Sequence, residues 1–264
     1  MPNIVLVVSA HPDDMEFLAG GTVAKMVEGG SEVSQLIVTN GERGTLELER
    51  EELIRRRREE ANEAGRVLGL KRVEFLDYPD GMLSDFRFNE VRERIMAKIR
   101  KLRPDTIITW DPFAPYETHQ DHRITAMATA EAAGFANLPL YHPEQIETSD
   151  DLVTIAQTYY IAKHHLNPNH AEDITNQINK KIRALLCHRT QMEFLLESTK
   201  QTLEAQGKPR DFLDAINPKD HEELVGKMIR GSGAIVGKRA GVPFAEEFRL
   251  SRIDGLSRYF EEDR

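Results

Sequence analysis

The stretch Ile4-Val5-Leu6-Val7-Val8-Ser9-Ala10-His11-Pro12-Asp13-Asp14-Met15-Glu16 decides the fold. A short β-branched apolar run that ends in polar residues reads as a buried strand of a parallel sheet. Gly20-Gly21-Thr22 then opens a helix through Val23-Ala24-Lys25-Met26-Val27. His11, Asp13 and Asp14 therefore stand at the carboxyl end of the first strand, the edge where open α/β sheets hold their ligands. Pro12 fixes its own φ and biases His11 toward an extended backbone, which stiffens the loop. Imidazole with carboxylate suits a divalent metal such as zinc, and a second carboxylate beside the first can serve as a base.

An Asp after a strand is commonly only a helix cap. A second cluster changes the reading. His119-Gln120-Asp121-His122 follows an apolar run, Thr106-Ile107-Ile108-Thr109-Trp110, and opens a helix through Arg123-Ile124-Thr125-Ala126-Met127. Two His/Asp clusters, each at a strand-to-helix junction of one parallel sheet, share an edge.

Working outward, Val33–Thr39 and Val73–Leu76 read as further strands, Leu46–Leu68 as a long helix and Asn89–Leu102 as an amphipathic one. Gly29-Gly30, Gly69 and Pro104 end the helices. The strand–helix rhythm predicts an α/β fold: a Rossmann-like, mostly parallel sheet flanked by helices, with the metal site at the carboxyl edge of the strands. Thr154–Ala162 reads as another strand. The last third is mainly helical: Asp173–Leu186, Thr190 to about Gln206, and Leu213–Ile235 with breaks at Asn217-Pro218 and Gly231-Ser232-Gly233. Pro243–Leu250 reads as a short strand. The whole chain, 1–264, is taken as one domain: a catalytic core of about 1–165 with a helical part, about 166–264, packed on it.

The net charge of −9 argues against nucleic acid, since phosphate binding needs a basic face. Arg55-Arg56-Arg57-Arg58 is bracketed by Glu51, Glu52, Glu59 and Glu60, which makes it a salt-bridged helix face. The single cysteine, Cys187, excludes an intrachain disulfide and a Cys-based zinc site. No apolar run reaches the roughly 20 residues of a membrane span, and the first residues lack a signal-peptide pattern. A cytoplasmic protein with no membrane partner is expected.

The candidates for chemistry are His11, Asp13, Asp14, His119, Asp121 and His122. The residues leave open which of Asp13 and Asp14 ligates and which acts as base, and likewise which of His119 and His122 binds metal and which faces substrate. A metal on two His and one Asp would lower the pKa of its water and polarise a carbonyl. A nearby carboxylate would move the proton. A cationic His would steady the oxyanion. The set suits amide or ester hydrolysis.

These motifs resemble the PIG-L / LmbE-like family of zinc-dependent N-deacetylases. Ala10-His11-Pro12-Asp13-Asp14-Met15-Glu16 with Gly20-Gly21-Thr22 looks like its first signature. Thr39-Asn40-Gly41-Glu42-Arg43-Gly44 is similar to its second. Arg57, Glu60, Ala64, Leu68 and Gly69 fit its helix pattern, and Asp80-Gly81 follows the third strand as expected. His119-Gln120-Asp121-His122 looks like its His-Pro-Asp-His with Gln120 in place of Pro. Lys181, Ala184, Leu185, His188 and Gln191 resemble a later segment, and Ala245-Glu246 with Phe248 a last one. Residues 198–242 match nothing in the pattern.

The resemblance implies that His11, Asp14 and His122 bind the metal, Zn2+ or another divalent transition metal. It implies Asp13 as general base and acid, and His119 as the group that stabilises the tetrahedral intermediate. Arg57 would reach the substrate sugar, although its place in an Arg run equally suits a surface salt bridge. Glu16 would orient a ligating group, and Asp121 would cap a helix or hold a ligand imidazole. Tyr116 reads as a loop residue rather than an oxyanion donor, and His164, His165 and His188 as structural or surface groups. The implied reaction removes an acetyl group from an N-acetylated amino sugar, N-acetylglucosamine-type, or its conjugate, in a chain that can form homo-oligomers. The alternative is a metal-dependent amidase or esterase acting on a non-sugar small molecule. A non-enzyme reading, a nucleotide- or sugar-binding domain using Gly20-Gly21-Thr22, leaves the second His cluster unexplained, and the G-x-G-x-x-G fingerprint is absent.

Overall fold

The computed structural model describes residues 3–209 and 221–252. Seven strands form one sheet, in the order β3-β2-β1-β4-β5-β7-β6. They are β1 (Ile4–Ser9), β2 (Glu32–Thr39), β3 (Arg72–Tyr78), β4 (Thr106–Trp110), β5 (Gln157–Ile161), β6 (His170–Asp173) and β7 (Ala245–Arg252). β1 pairs in parallel with both β2 and β4; β3 extends the first side and β5 the second, also in parallel. The strand order thus reverses between β1 and β4, and the loops that leave those two strands open a crevice there.

β1 is apolar throughout because both its faces are covered. Val5 and Val7 join a core with Val23, Ala64 and Leu68, whereas Leu6 and Val8 join one with Val91, Ile95, Ile99 and Ala132. The first core lies under α1 (Asp14–Glu28), α2 (Arg50–Leu68) and α5 (Ile178–Leu186). The second lies under α3 (Phe88–Leu102) and α4 (Gln120–Phe135). A third cluster, including Ile174, Ile182, Met192 and Ile229, joins α5 to α6 (Arg189–Ala205) and α7 (His221–Ala240).

Four elements differ from their reading in the sequence. α1 starts at Asp14, so Gly20-Gly21 lies in mid-helix. A Cβ on Gly21 would come within 2.7 Å of Ile174, so the glycine allows close approach instead of opening the helix. α2 starts at Arg50, and residues 40–49 are loop. α7 runs unbroken through Gly231-Ser232-Gly233. A Cβ at Gly237, further along α7, would meet the Val242 carbonyl at 2.5 Å, so α7 uses its glycines to lie close to the chain that enters β7. The break expected at Asn217-Pro218 lies outside the described residues. Finally, β6 ends at Asp173, where a helix was expected to begin; it pairs antiparallel with β7, the strand read at Pro243–Leu250, which itself pairs antiparallel with β5. β6 is short and polar, which hides it from pattern reading. Among the described residues, no helix is long and apolar enough to cross a membrane.

A buried ion pair ties this C-terminal strand to α1. Glu246 on β7 accepts from Gly21 N (3.0 Å), Thr22 N (2.7 Å) and Thr22 Oγ1 (2.6 Å). Its partner Lys181 Nζ lies 2.5 Å away and also donates to the Phe17 carbonyl. Both side chains are about 95% buried, at 6% and 4% exposure. Removing one member of such a pair strands the other charge. Glu246→Ala is therefore expected to lower unfolding stability by about 3–5 kcal/mol, read from denaturant midpoints at unchanged slope. A loss below about 1 kcal/mol, the scale of an exposed pair, would contradict this tether.

Candidate active site

Three donor atoms converge at the switch point between β1 and β4. His11 Nδ1 lies 3.0 Å from His122 Nε2. Asp14 Oδ1 lies 3.8 Å from the former and 3.4 Å from the latter. All three side chains are less than a tenth exposed. Ligands of one tetrahedral metal, each about 2.0–2.2 Å from it, stand about 3.3–3.6 Å apart, so this spacing fits a single ion.

The outer atoms of Asp14 and His11 are occupied in a way that aims the inner ones. Asp14 Oδ2 accepts from Ala10 N (2.9 Å), His11 N (2.8 Å) and Trp110 Nε1 (2.8 Å), which leaves Oδ1 facing the imidazoles. His11 Nε2 lies 3.0 Å from Asp80 Oδ1 and 3.3 Å from Asp121 Oδ2. Those carboxylates keep the proton on Nε2 and leave Nδ1 to ligate, the usual outer arrangement of a metal-bound His. Asp121 is itself pinned by Gly81 N (2.6 Å) and Leu83 N (3.2 Å). Gln120 donates to the Gly81 carbonyl, which ties the loop after β4 to the loop after β3 without the family's Pro. His122 stacks on Trp110, with ring centres 3.8 Å apart, and its Nδ1 lies 3.1 Å from Glu117 Oε1, off the line of a good hydrogen bond.

His119, half-buried, caps α4: its Nδ1 accepts from Asp121 N at 3.3 Å. Its proton then sits on Nε2, which makes it a donor. It also comes within ligand range of His11 and His122, and of Asp80 and Asp121. Burial, with the His11 and His122 charges adding to it, lowers the His119 pKa. Both effects work against the cationic form expected of this side chain.

His11 behaves in the opposite sense. Burial works against its charged form, but hydrogen bonds to Asp121, Asp14 and Asp80 outweigh it and hold the pKa well above the usual value. In the metal-free protein His11 thus takes up a second proton more readily than a free imidazole, and Nδ1 is the nitrogen that faces the other ligand atoms. A metal must displace that proton. Loading is expected to release a proton, and metal affinity to fall about tenfold per pH unit below that raised pKa, flattening above it. Titration calorimetry in buffers of different ionisation enthalpy measures the release. Binding without proton release would contradict this protonation.

Asp13 lies outside that ligand set. Its backbone has φ 109, on the side of the map that Asp and Asn tolerate best among side-chain residues. Arg57 holds it there. Arg57 NH2 donates to the Pro12 carbonyl at 2.6 Å, NH1 donates to the Gly41 carbonyl at 2.9 Å, and NH2 lies 3.4 Å from Asp13 Oδ2. A Cβ on Gly41, at φ 67, would strike the guanidinium at 2.5 Å. Burial pushes the Asp13 carboxyl up to about 6, with the Arg57 guanidinium opposing it. Arg57 side chain is 3% exposed and takes no part in the surface ladder of Arg55 and Arg56 with Glu52 and Glu59.

The structure therefore brings His11, Asp13, Asp14, His119, His122 and Arg57 together at one edge. Tyr116 is 90% exposed, and Glu246 is buried with Lys181 away from any open surface. Glu16 and His188 are both fully buried, 3.4 Å apart, with none of their four polar side-chain atoms hydrogen-bonded among the described residues. His188 is thus an interior group with a raised pKa: burial opposes the charge, but the nearby Glu16 carboxylate more than offsets it. Sequence reasoning missed Trp110, Asp80 and Glu117 as supports. The signals were there for two of them: the lone Trp at the end of a strand, and a Glu two residues before the His pair.

Comparison with known proteins agrees with this geometry. Residues 6–133 match the PIG-L family model, described as GlcNAc-PI de-N-acetylase. The chain is 32% identical to the diacetylchitobiose deacetylase of Thermococcus kodakarensis over 93% of its own length and 82% of that protein's. It is 28% identical to a probable N-acetyl-alpha-D-glucosaminyl L-malate deacetylase 2 of Bacillus cereus, covering 75% of this chain and 88% of the relative. The structure of N,N'-diacetylchitobiose deacetylase from Pyrococcus horikoshii superposes with a TM-score of 0.77 at 29% identity, over 95% of this chain and 84% of that one. With this likeness in sequence and fold, the chain belongs to the PIG-L family of de-N-acetylases.

Proposed function

We propose that the protein is a divalent-metal-dependent, zinc-using hydrolase that removes the acetyl group from an N-acetylated amino sugar of the N-acetylglucosamine type, or from its conjugate. The observation that carries this reading is the convergence of His11 Nδ1, Asp14 Oδ1 and His122 Nε2 beside a further carboxylate, Asp13, that is outside the set. The named activities of the relatives supply the substrate class.

In this reading His11, Asp14 and His122 hold the metal. A metal held by them would supply a Lewis acid for the acyl carbonyl and would lower the pKa of a water beside it toward neutrality. Asp13 accepts the proton of the attacking water and delivers it to the departing amine nitrogen. His119 donates Nε2–H to the oxyanion of the tetrahedral intermediate, which needs a fixed donor and not a charge. Arg57 acts mainly through Asp13: its terminal nitrogens already donate to Pro12 and Gly41, which leaves little of it to touch a sugar. The C-terminal segment belongs to the same catalytic unit, since Glu246 and Lys181 anchor it on α1, the helix that carries Asp14.

Acetate release from N-acetylglucosamine compounds, compared with release from unrelated amides and esters, tests the substrate class. Sugar amides are expected to be faster by about tenfold or more, the scale of one well-placed binding contact. Equal or reversed rates would replace the sugar with another acylated small molecule.

A further inference from the structure

We propose that His188, braced by Glu16, is a positioning residue that fixes the Asp13 carboxylate from within the protein; this rests on the function proposed above. Three links place the pair behind Asp13. Asp13 caps α1 and Glu16 stands three residues on, at two positions that reach one another across a helix's first turn. His188 Nε2 lies 3.4 Å from Glu16 Oε1. His188 also precedes α6, whose first turn packs on the segments that hold Arg57. Thr190 N and Oγ1 donate to Glu60, one turn beyond Arg57 on α2, at 2.9 and 2.7 Å. Gln191 Nε2 donates to the Gly44 carbonyl at 2.8 Å, and a Cβ on Gly44 would lie 3.1 Å from Arg57 NH1. α5, which ends just before His188, packs on both α1 and α2. His188 thus enters between them, with Glu16 on one helix and Arg57, the partner of Asp13, on the other.

Packing does not account for the pair. Both side chains are 0% exposed, and none of their four polar atoms is hydrogen-bonded among the described residues. Buried donors and acceptors left unpaired cost stability, and apolar side chains of similar volume would fill the same space at no such cost. Lys181 and Glu246, in contrast, have their hydrogen bonds made and hold β7 to α1. Glu16 and His188 tie no such element down.

Asp13 is the group that needs them. Its contact with Arg57, 3.4 Å, is long for a charge-assisted hydrogen bond, because the Arg57 terminal nitrogens donate to the Pro12 and Gly41 carbonyls. A second constraint is required to hold the carboxylate in one orientation. Acidic and basic side chains alternate across the space between α1 and α2, in the order Glu16, His188, Asp13, Arg57. The fields of His188 and Arg57 both favour the ionised Asp13 carboxylate, so the two bases hold it between them. A base misplaced by about 1 Å costs on the order of 10²-fold in rate.

The test is a double-mutant cycle on kcat, read as release of radiolabelled acetate from an N-acetylglucosamine substrate by the zinc-loaded protein. Glu16→Gln and His188→Gln keep the size of the side chain or nearly so, and leave the metal donors and Asp13 in place. Each is expected to lower kcat about ten- to hundredfold, with KM within about twofold and metal affinity unchanged. In the Asp13→Asn background there is no base left to position, so His188→Gln is expected to lower kcat by less than about twofold further. Equal losses in the two backgrounds overturn the proposal. So does a wild-type kcat in both single variants, and so does a loss of metal affinity large enough to explain the loss of rate. If removing one member of the pair unfolds the chain, the double replacement Glu16→Met with His188→Leu strands no charge and is judged by the same criteria. Wild-type release separates the failures. Release with equal losses overturns the positioning role alone, whereas no release from any acetamido sugar overturns the function and the role with it.

Discussion

Asp13→Asn is expected to keep its metal and to lose about 10²- to 10⁴-fold in kcat, the contribution of a positioned general base. The substitution is close to isosteric, and Asn tolerates the left-handed backbone that Asp13 adopts at φ 109. Arg57 still has the Pro12 and Gly41 carbonyls to hold. The metal set is untouched, because Asp13 contributes no atom to it and Asp14 is fixed by its own three donors. What disappears is a carboxylate that burial raises to about 6, below neutral pH yet basic enough to take a proton. Metal analysis and turnover on the same preparation check both halves. A fully active Asp13→Asn would remove Asp13 from the proton path, and a metal-free one would put it in the ligand set.

His122→Ala is expected to lose metal and activity together. One donor of three disappears, and with it the ring that fills the space against Trp110. Changing a group that merely orients a ligand costs about 10–100-fold in metal affinity, so deleting a ligand costs more than about 100-fold. Affinity measured by competition with a chromophoric chelator gives the number, and a thermal melt confirms that the variant is folded. Unchanged affinity would point to His119, which also stands within ligand range of His11, as the third ligand in its place.

The fold was legible wherever burial imposes a pattern. β1 shows a continuous apolar run because both its faces are covered, and α3 shows its Val91, Ile95 and Ile99 stripe because one face is. β6 was not legible, since a four-residue polar edge strand has neither run nor alternation. The glycines misled in both directions. Gly20-Gly21 and Gly231-Ser232-Gly233 look like helix boundaries by propensity, yet both lie inside helices. Tertiary contact explains Gly21, where Ile174 leaves no room for a Cβ.

The site divides in the same way. His11, Asp13, Asp14, His119 and His122 were visible because reactive side chains sit next to strand ends, and local sequence reports that directly. Their supports were not, because each comes from a distant part of the chain: Trp110 to Asp14, Asp80 to His11, Arg57 to Pro12. Arg57 is the sharpest case. Its neighbours Arg55, Arg56 and Arg58 form surface ion pairs, and helical periodicity alone turns Arg57 inward. Glu246 and Lys181 likewise look like two unrelated charges until β7 is placed beside α1.

The central claim is that His11, Asp14 and His122 hold a metal that deacetylation requires. The most direct measurement is acetate release from an N-acetylglucosamine substrate by zinc-loaded protein, then after a chelator has stripped it, then after zinc is restored to one equivalent. The account predicts release that stops with the metal and returns with it. Release that continues undiminished in metal-free protein would contradict it.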